Sequence, residues 1–349
     1  MQSGAGAAED DHGHGTHVTG IITSDGNVAS RGVAPGASIV SVKVLDSNNQ
    51  FCCSSDVVAG LDWILANRPD VKVVNMSLLT FATYTGDCDG ADAGTMAFAD
   101  SIDQLVANGV SVFAASGNSS LANAMGAPAC VANAISVGAV NDFDQVAFFS
   151  NGSATLDILA PGVGIVSTAL GGGTTALSGT SMAAPHGAGT AALLLDAFPG
   201  LTPASLLATL EATGRPVTDP QNGFTDPRID AEAAFLALRP ATDSFKCYKA
   251  KDLKAPKFAA TTVALQDQFG VNDGSFAVKK PFLVCNPVGV DGSPTANAAE
   301  HLTCYKIRGP KLDKADRPRI EATNQLGTVQ LTATKPYVLC VPSSKTVLP

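Results

Sequence analysis

No apolar run in this sequence approaches the eighteen or so residues of a membrane-spanning helix. The opening "MQSGAGAAEDDHG" is polar and has no hydrophobic stretch, so no signal peptide is expected in this chain. None of the eight cysteines forms a Cys-x-x-Cys pair, which argues against a zinc clip. Lysine and glutamate are scarce, charged residues make up only 15% of the chain, and there is one tryptophan. That composition suits a secreted bacterial protein better than a cytosolic one. No basic patch is interleaved with aromatics, which excludes nucleic acid as the expected partner. Disorder is excluded too, since 45% of the residues are apolar.

What is present divides in two. The even set of cysteines, at 52, 53, 88, 130, 247, 285, 304 and 340, reads as disulfides formed in an oxidising, extracellular compartment. The net charge of −9 hides a split: residues 1–242 carry 7 Lys and Arg against 22 Asp and Glu, a balance of −15, whereas 243–349 carry 15 against 9, a balance of +6. The shift falls at "LRPATDSFKCYK" and marks a boundary between a domain over 1–240 and another over 243–349.

The larger segment alternates β-branched runs with helical patterns. "ASIVSVKVL" (37–45), "VKVVNMSL" (71–78), "GVSVFAASG" (109–117) and "AISVGAV" (134–140) read as buried strands. Residues 54–70, with an N-cap Ser, and 92–109, ending in Asn-Gly, read as helices. This pattern predicts an α/β fold with a parallel sheet and helices on both faces, with reactive groups at the carboxyl ends of the strands. The smaller segment repeats itself: "FKCYKAKDL" (245–253) matches "LTCYKIRGP" (302–310), and "VKKPFLVCNP" (278–287) matches "ATKPYVLCVP" (333–342). Two units, about 243–290 and 300–349, imply a small all-β domain built by duplication. Equivalent positions should make equivalent bonds, predicting Cys247–Cys285 and Cys304–Cys340, with pairing across the repeats as the alternative. Cys88 and Cys130, in loops flanking a strand-end site, form a third expected pair; Cys52 and Cys53 stay unassigned.

Three stretches carry chemistry. In "LSGTSMAAPHGAGTAALLLDAFPG" (177–200), Ser181 opens an apolar helix that closes at Pro199-Gly200, with Pro185 in its first turn. A serine there sits beside unpaired N–H groups and the positive end of the helix dipole, which stabilise an oxyanion; an ordinary N-cap is the plainer reading. In "GHGTHVTGII" (13–22), His14 lies in the first turn of a helix with small residues, with His12 in the loop before it and His17 on a buried face. A zinc site of His-x-His-x-x-His lacks the glutamate of a metalloprotease helix. In "AASGNSS" (114–120) a strand ends in Gly117-Asn118, where the Asn amide is either an oxyanion donor or part of a turn.

Together with "RGVAPGASIVSVKVL", "NMSL", "PACVANAISVGAV", "FFSNGS" and "LAPGVGI", these stretches resemble the subtilisin-like serine endopeptidases, the subtilases, in family order over roughly residues 10–240. The resemblance implies His14 as general base, Ser181 as nucleophile and Asn118 as oxyanion donor, converging at one end of the sheet. It implies that Ser77 and Leu78, with Leu79 and Gly117 beside them, bind an extended polypeptide substrate. No cofactor is implied, although structural calcium is compatible with the family, and the "TSDGN" loop (23–27) offers one Asp and one Asn.

Two departures stand out. The family's triad runs Asp, His, Ser in chain order, with the Asp at the end of a buried strand some tens of residues before the His. Here Asp10 and Asp11 are poor substitutes, and the catalytic Asp is expected to be missing. A chain starting at an internal Met and a degenerate enzyme each explain this; the intact remaining motifs favour the first. Secondly, Leu79 and Thr80 follow Ser-Leu where the family usually has glycines, so side chains narrow the primary specificity pocket. The sequence thus predicts a secreted, monomeric serine endopeptidase, impaired as it stands. The alternative is a non-catalytic scaffold acting through the basic repeats, whose charge suits an anionic envelope surface.

Overall fold

Strands whose two faces are both covered must be apolar at consecutive positions, and "SVFAA" and "ISVGAV" meet that demand. Both are buried at every residue in the computed structural model, which describes residues 9–238, 244–249, 259, 261–265, 274–288, 301–308, 319–324, 327–332 and 338–343. The chain divides into two units, Met1–Arg239 and Pro240–Pro349.

The helices of the first unit are α1 (His14–Thr23), α2 (Ser54–Asn67), α3 (Ala93–Ala107), α4 (Thr180–Ala197), α5 (Pro203–Thr213) and α6 (Ala231–Leu238). Its strands are β1 (Val73–Met76), β2 (Thr83–Tyr84), β3 (Ser111–Ala115), β4 (Met125–Gly126), β5 (Ile135–Val140), β6 (Ile158–Pro161), β7 (Ile165–Thr168), β8 (Thr174–Leu177), β9 (Arg215–Thr218) and β10 (Thr225–Arg228). Six form one sheet in the order β1-β3-β5-β6-β10-β9, parallel except for β9 at one edge. The pairs β2–β4 and β7–β8 are separate antiparallel ribbons. One apolar cluster joins the sheet to α2 and α3 through Leu61, Phe98, Ile102 and Leu105. A second, on the other face, joins it to α4, α5 and α6 through Phe113, Ile158, Ala188, Leu206 and Leu210.

Four sequence expectations are corrected. Residues 37–45 form no strand, although their neighbours in the pattern do; a strand needs a ladder partner, and the segment has none among the described residues. The N-cap of α2 is Cys53 rather than a serine, and it makes no side-chain cap bond. α4 begins at Thr180 and ends at Ala197, so it closes earlier than Pro199-Gly200. Pro185 therefore lies inside the helix, beyond its first turn. There its missing N–H frees the carbonyl of Ser181 from the usual i→i−4 bond, and the hydroxyl of Ser77 donates to that carbonyl instead, at 2.8 Å.

The second unit has strands β11 (Ser244–Lys249), β12 (Thr261–Leu265), β13 (Gly274–Val288), β14 (His301–Arg308), β15 (Arg319–Asn324), β16 (Gly327–Thr332) and β17 (Val338–Ser343). An antiparallel sheet runs β11-β13-β14-β17, with β12 also on β13, and β15 pairs with β16. The two Cys pairs occupy the same kind of register. Cys247 lies opposite Cys285 in the β11–β13 ladder, and Cys304 lies opposite Cys340 in the β14–β17 ladder. Both opposed pairs are disulfides, with Cα separations of 4.0 and 3.9 Å.

Candidate active site

Asp10 organises the entry to α1. Its carboxylate accepts from the N–H groups of His12, Gly13 and Thr16 at 3.0, 2.8 and 2.6 Å, and from the Thr16 hydroxyl at 2.7 Å. Burial raises its pKa, but these hydrogen bonds outweigh burial and hold the carboxyl well below the usual carboxylate range. This is an N-cap supplied from outside the helix. The far side of α1 is pinned to β7: Ser167 and Thr168 donate to the carbonyls of His17 and Thr16, both at 2.8 Å. Only a residue without a side chain fits between them, because a Cβ on Gly20 would lie 2.2 Å from the Thr168 hydroxyl.

The three histidines separate clearly. His12 is exposed in the loop. His17 is fully buried, its Nε2 at 3.0 Å from the Ile165 carbonyl and 3.1 Å from that of Thr175, so it braces the β7–β8 ribbon. His14 is half-buried. Its pKa is lowered by burial first and then by the charges of His12 and His17, against a small pull from Asp10. Its ring is therefore neutral at neutral pH, the state a general base requires.

Ser181 is the second residue of α4, whose start is held by a network absent from any local sequence pattern. Asn118, just past β3, accepts through Oδ1 from the Thr180 N–H at 2.8 Å and the Thr180 hydroxyl at 3.0 Å. The same hydroxyl accepts from the N–H of Gly117 at 3.1 Å. Gly117 has φ +117°, and a Cβ there would meet the Asn151 amide at 2.3 Å. Asn151 in turn holds the loop by accepting from the N–H groups of Ser119 and Leu121, at 2.8 and 3.2 Å.

This arrangement leaves two donors free. The N–H of Met182 and that of Ala183 bond to Gly179, and that of Thr180 to Asn118. Among the described residues neither the N–H of Ser181 nor the Nδ2 of Asn118 has a partner. The Ser181 hydroxyl points to the Ser77 carbonyl at 3.4 Å, and no hydrogen bond joins it to His14 among the described residues. The two residues stand on helices that pack together, with Val18 and Ile21 of α1 against Met182 of α4. Leu79 fills the space between Gly117 and Gly126, to which its Cδ1 would lie within 3.1 and 2.8 Å of an added Cβ. The Cys88–Cys130 disulfide, fully buried, ties the loop after β2 to the one after β4. Cys52 and Cys53 are exposed, with their Sγ atoms 2.6 Å apart.

The profile of the family described as "Subtilase family" matches residues 3–233. This chain belongs to the subtilase family. Within it, the subtilase unit is 42% identical over 211 residues to Subtilisin E of Bacillus subtilis (strain 168), a match covering 59% of this chain and 51% of that protein. It is 38% identical over 226 residues to Alkaline elastase YaB of Bacillus sp. (strain YaB), covering 64% and 56%. The chain thus spans about half the length of the curated relatives it matches. A crystal structure of a cold adapted subtilisin-like serine proteinase superposes with a TM-score of 0.55 at 34% identity, covering 64% of this chain and 76% of that one. The fold is subtilisin-like. The motif around Ser181 was legible in the sequence, whereas Thr180 and Asn151 as organisers were not, because their partners lie 62 and about thirty residues away.

For calcium the fit is poor. Among the described residues no three His, Cys, Asp or Glu side chains converge to hold a metal. In the 23–27 loop Asp25 already accepts from the backbone and side-chain N–H groups of Asn27.

Proposed function

We propose that this chain is a serine endopeptidase acting on polypeptides outside the cell through an acyl-enzyme on Ser181. The Ser181 hydroxyl attacks the scissile carbonyl while His14 takes its proton, then passes it to the leaving amine; water repeats the sequence to release the acyl group. The observation that carries this reading is the pair of unpartnered donors at the start of α4, the Ser181 N–H and the Asn118 Nδ2, beside the nucleophile. The disulfides fit an oxidising compartment.

The reaction is slow in this chain as it stands. Among the described residues no carboxylate accepts from the His14 ring, and Asp10 is committed to the cap of α1. Losing the orienting carboxylate of such a triad costs on the order of 10⁴ in kcat. The lack of a His14–Ser181 hydrogen bond among the described residues is the physical counterpart: no described group hydrogen-bonds the ring to set its tautomer or direction. A serine-directed fluorophosphonate tests the reading, because its single turnover needs the nucleophile and oxyanion donors more than it needs a full cycle. Mass spectrometry should find the adduct on Ser181, and the Ser181→Ala variant should stay unlabelled. A wild-type chain left unmodified under prolonged exposure would make this a non-catalytic scaffold.

A further inference from the structure

Two of the eight cysteines have no part in the architecture described so far. Six are engaged in the disulfides Cys88–Cys130, Cys247–Cys285 and Cys304–Cys340, which leaves Cys52 and Cys53. They are neighbours in the chain, both are exposed, and their Sγ atoms lie 2.6 Å apart. Side chains of neighbouring residues in an extended chain point to opposite faces. Here the chain bends at Cys52 and the two sulfurs meet.

The bend is held from both sides. Before it, Asp46 accepts from the N–H groups of Asn48 and Gln50 at 2.9 and 3.0 Å, and its own N–H bonds to the Gln50 carbonyl at 2.8 Å. Phe51 then packs against the apolar cluster under α2. After the bend, the Cys53 carbonyl accepts from the Asp56 N–H at 3.0 Å, and buried Val57 fixes the first turn of α2. Cys53 stands at the N-cap, a place that favours Ser, Thr, Asp or Asn for their side-chain acceptors, yet its side chain caps nothing. Neither thiol fills the core. A bond between neighbours closes no loop of chain, so it would not restrict the unfolded state as the other three disulfides do. The pair therefore has no structural task, and reversible chemistry is what its placement allows.

We propose that Cys52 and Cys53 form a thiol–disulfide exchange site: they close into a vicinal disulfide by reducing a low-molecular-mass disulfide, and reopen when a low-molecular-mass thiol attacks. The hydrogen bond with Cys52 raises the Cys53 thiol above its ordinary pKa, and the nearby charge of Asp56 adds to this. Cys52 accordingly attacks first. Its thiolate bonds to one sulfur of the incoming disulfide, whose S–S bond breaks and releases one thiol. Cys53 gives its proton to solvent and attacks the Cys52 sulfur, expelling the second thiol. Two protein thiols thus lose two electrons and two protons, and one small disulfide becomes two thiols. An exposed bond of this kind belongs to the labile class rather than the structural one. This inference is independent of the peptidase reading.

The test uses the full chain, opened briefly with dithiothreitol and then given oxidised glutathione. Thiols at Cys52 and Cys53 should appear at least about tenfold faster than any at Cys88 or Cys130, whose bond is buried. After oxidised glutathione, the peptide spanning both residues should lose the mass of two hydrogens and carry no glutathione, in a monomeric chain. The Cys53→Ser variant cannot close and should retain glutathione on Cys52. Cys52→Ser should retain it on Cys53, more slowly. Both replacements lie on the surface and should leave circular dichroism unchanged. Glutathione retained on the wild type, chains cross-linked through Cys52 or Cys53, or both thiols left unreacted would each overturn the proposal.

Discussion

Thr180 shows how much of this site hangs on one hydroxyl. It is fully buried, donates to Asn118 and accepts from Gly117, and so locks the loop after β3 to the first turn of α4. With both Thr180 donors on its Oδ1, the Asn118 amide is held in one orientation, the one in which the proposed oxyanion donor, Nδ2, stays unengaged among the described residues. Thr180→Val keeps the shape and removes the hydroxyl, leaving the Gly117 N–H buried without an acceptor. The expected loss of stability is about 1–3 kcal/mol. Because the Thr180 N–H still holds Asn118, labelling of Ser181 by the fluorophosphonate should slow by about tenfold, less than the 10²–10³ expected for Asn118→Ala. Denaturant unfolding and labelling rates of the two variants check this, and equal labelling rates for Thr180→Val and wild type would detach Thr180 from the site.

At the scale of elements, α4 and β1 are coupled through a defect in the helix. Pro185 leaves the Ser181 carbonyl unbonded, and Ser77, in the segment leaving β1, supplies the donor. Ser77→Ala alone should cost about 1–2 kcal/mol, because that carbonyl loses its partner. With Pro185→Ala in the same chain, the new N–H at 185 restores the i→i−4 bond, and most of that cost should vanish. Additive losses in the cycle would contradict the coupling. A second link joins β5 to β6: Asp157 accepts from the Ser136 N–H and hydroxyl at 2.7 and 2.6 Å. Burial raises its pKa from 3.8 to about 6, against the pull of those bonds. Here the folded value exceeds the unfolded one, so the stabilisation is complete below pH 3.8 and is lost as pH rises through about 6. The difference corresponds to about 3 kcal/mol. Asp157→Asn, which keeps an acceptor for Ser136 and carries no charge, should make the fall in unfolding free energy between pH 4 and 7 shallower, with Asp226, raised by burial to about 6 as well, accounting for what remains; a slope equal to that of the wild type would refute the assignment.

Across the whole molecule, the sequence was informative where a residue's role is local and silent where it depends on a distant neighbour. The strands at 111–115 and 135–140 and the helices α2 to α4 follow from runs and periods of their own residues. The segment 37–45 carries the same pattern and is not a strand, because pairing belongs to two segments and not to one. Likewise Ser181 and His14 were visible as motifs, yet the Asp10 cap that withholds a carboxylate from His14 appears only in three dimensions. The duplicated unit is the opposite case, since a repeat writes its own register: each copy places its two cysteines directly opposite in neighbouring strands. Closing chain segments of 38 and 36 residues, these bonds each restrict the unfolded state by about 3–4 kcal/mol. That matters in a unit of about a hundred residues, which buries a smaller fraction of its surface than a large domain. Replacing Cys247 and Cys285 together by alanine should therefore lower the unfolding free energy of the second unit by that amount, while fluorophosphonate labelling of Ser181 in the subtilase unit stays at the wild-type rate. Peptide mapping that joined Cys247 to Cys304 or Cys340 would overturn the register from which this expectation is built.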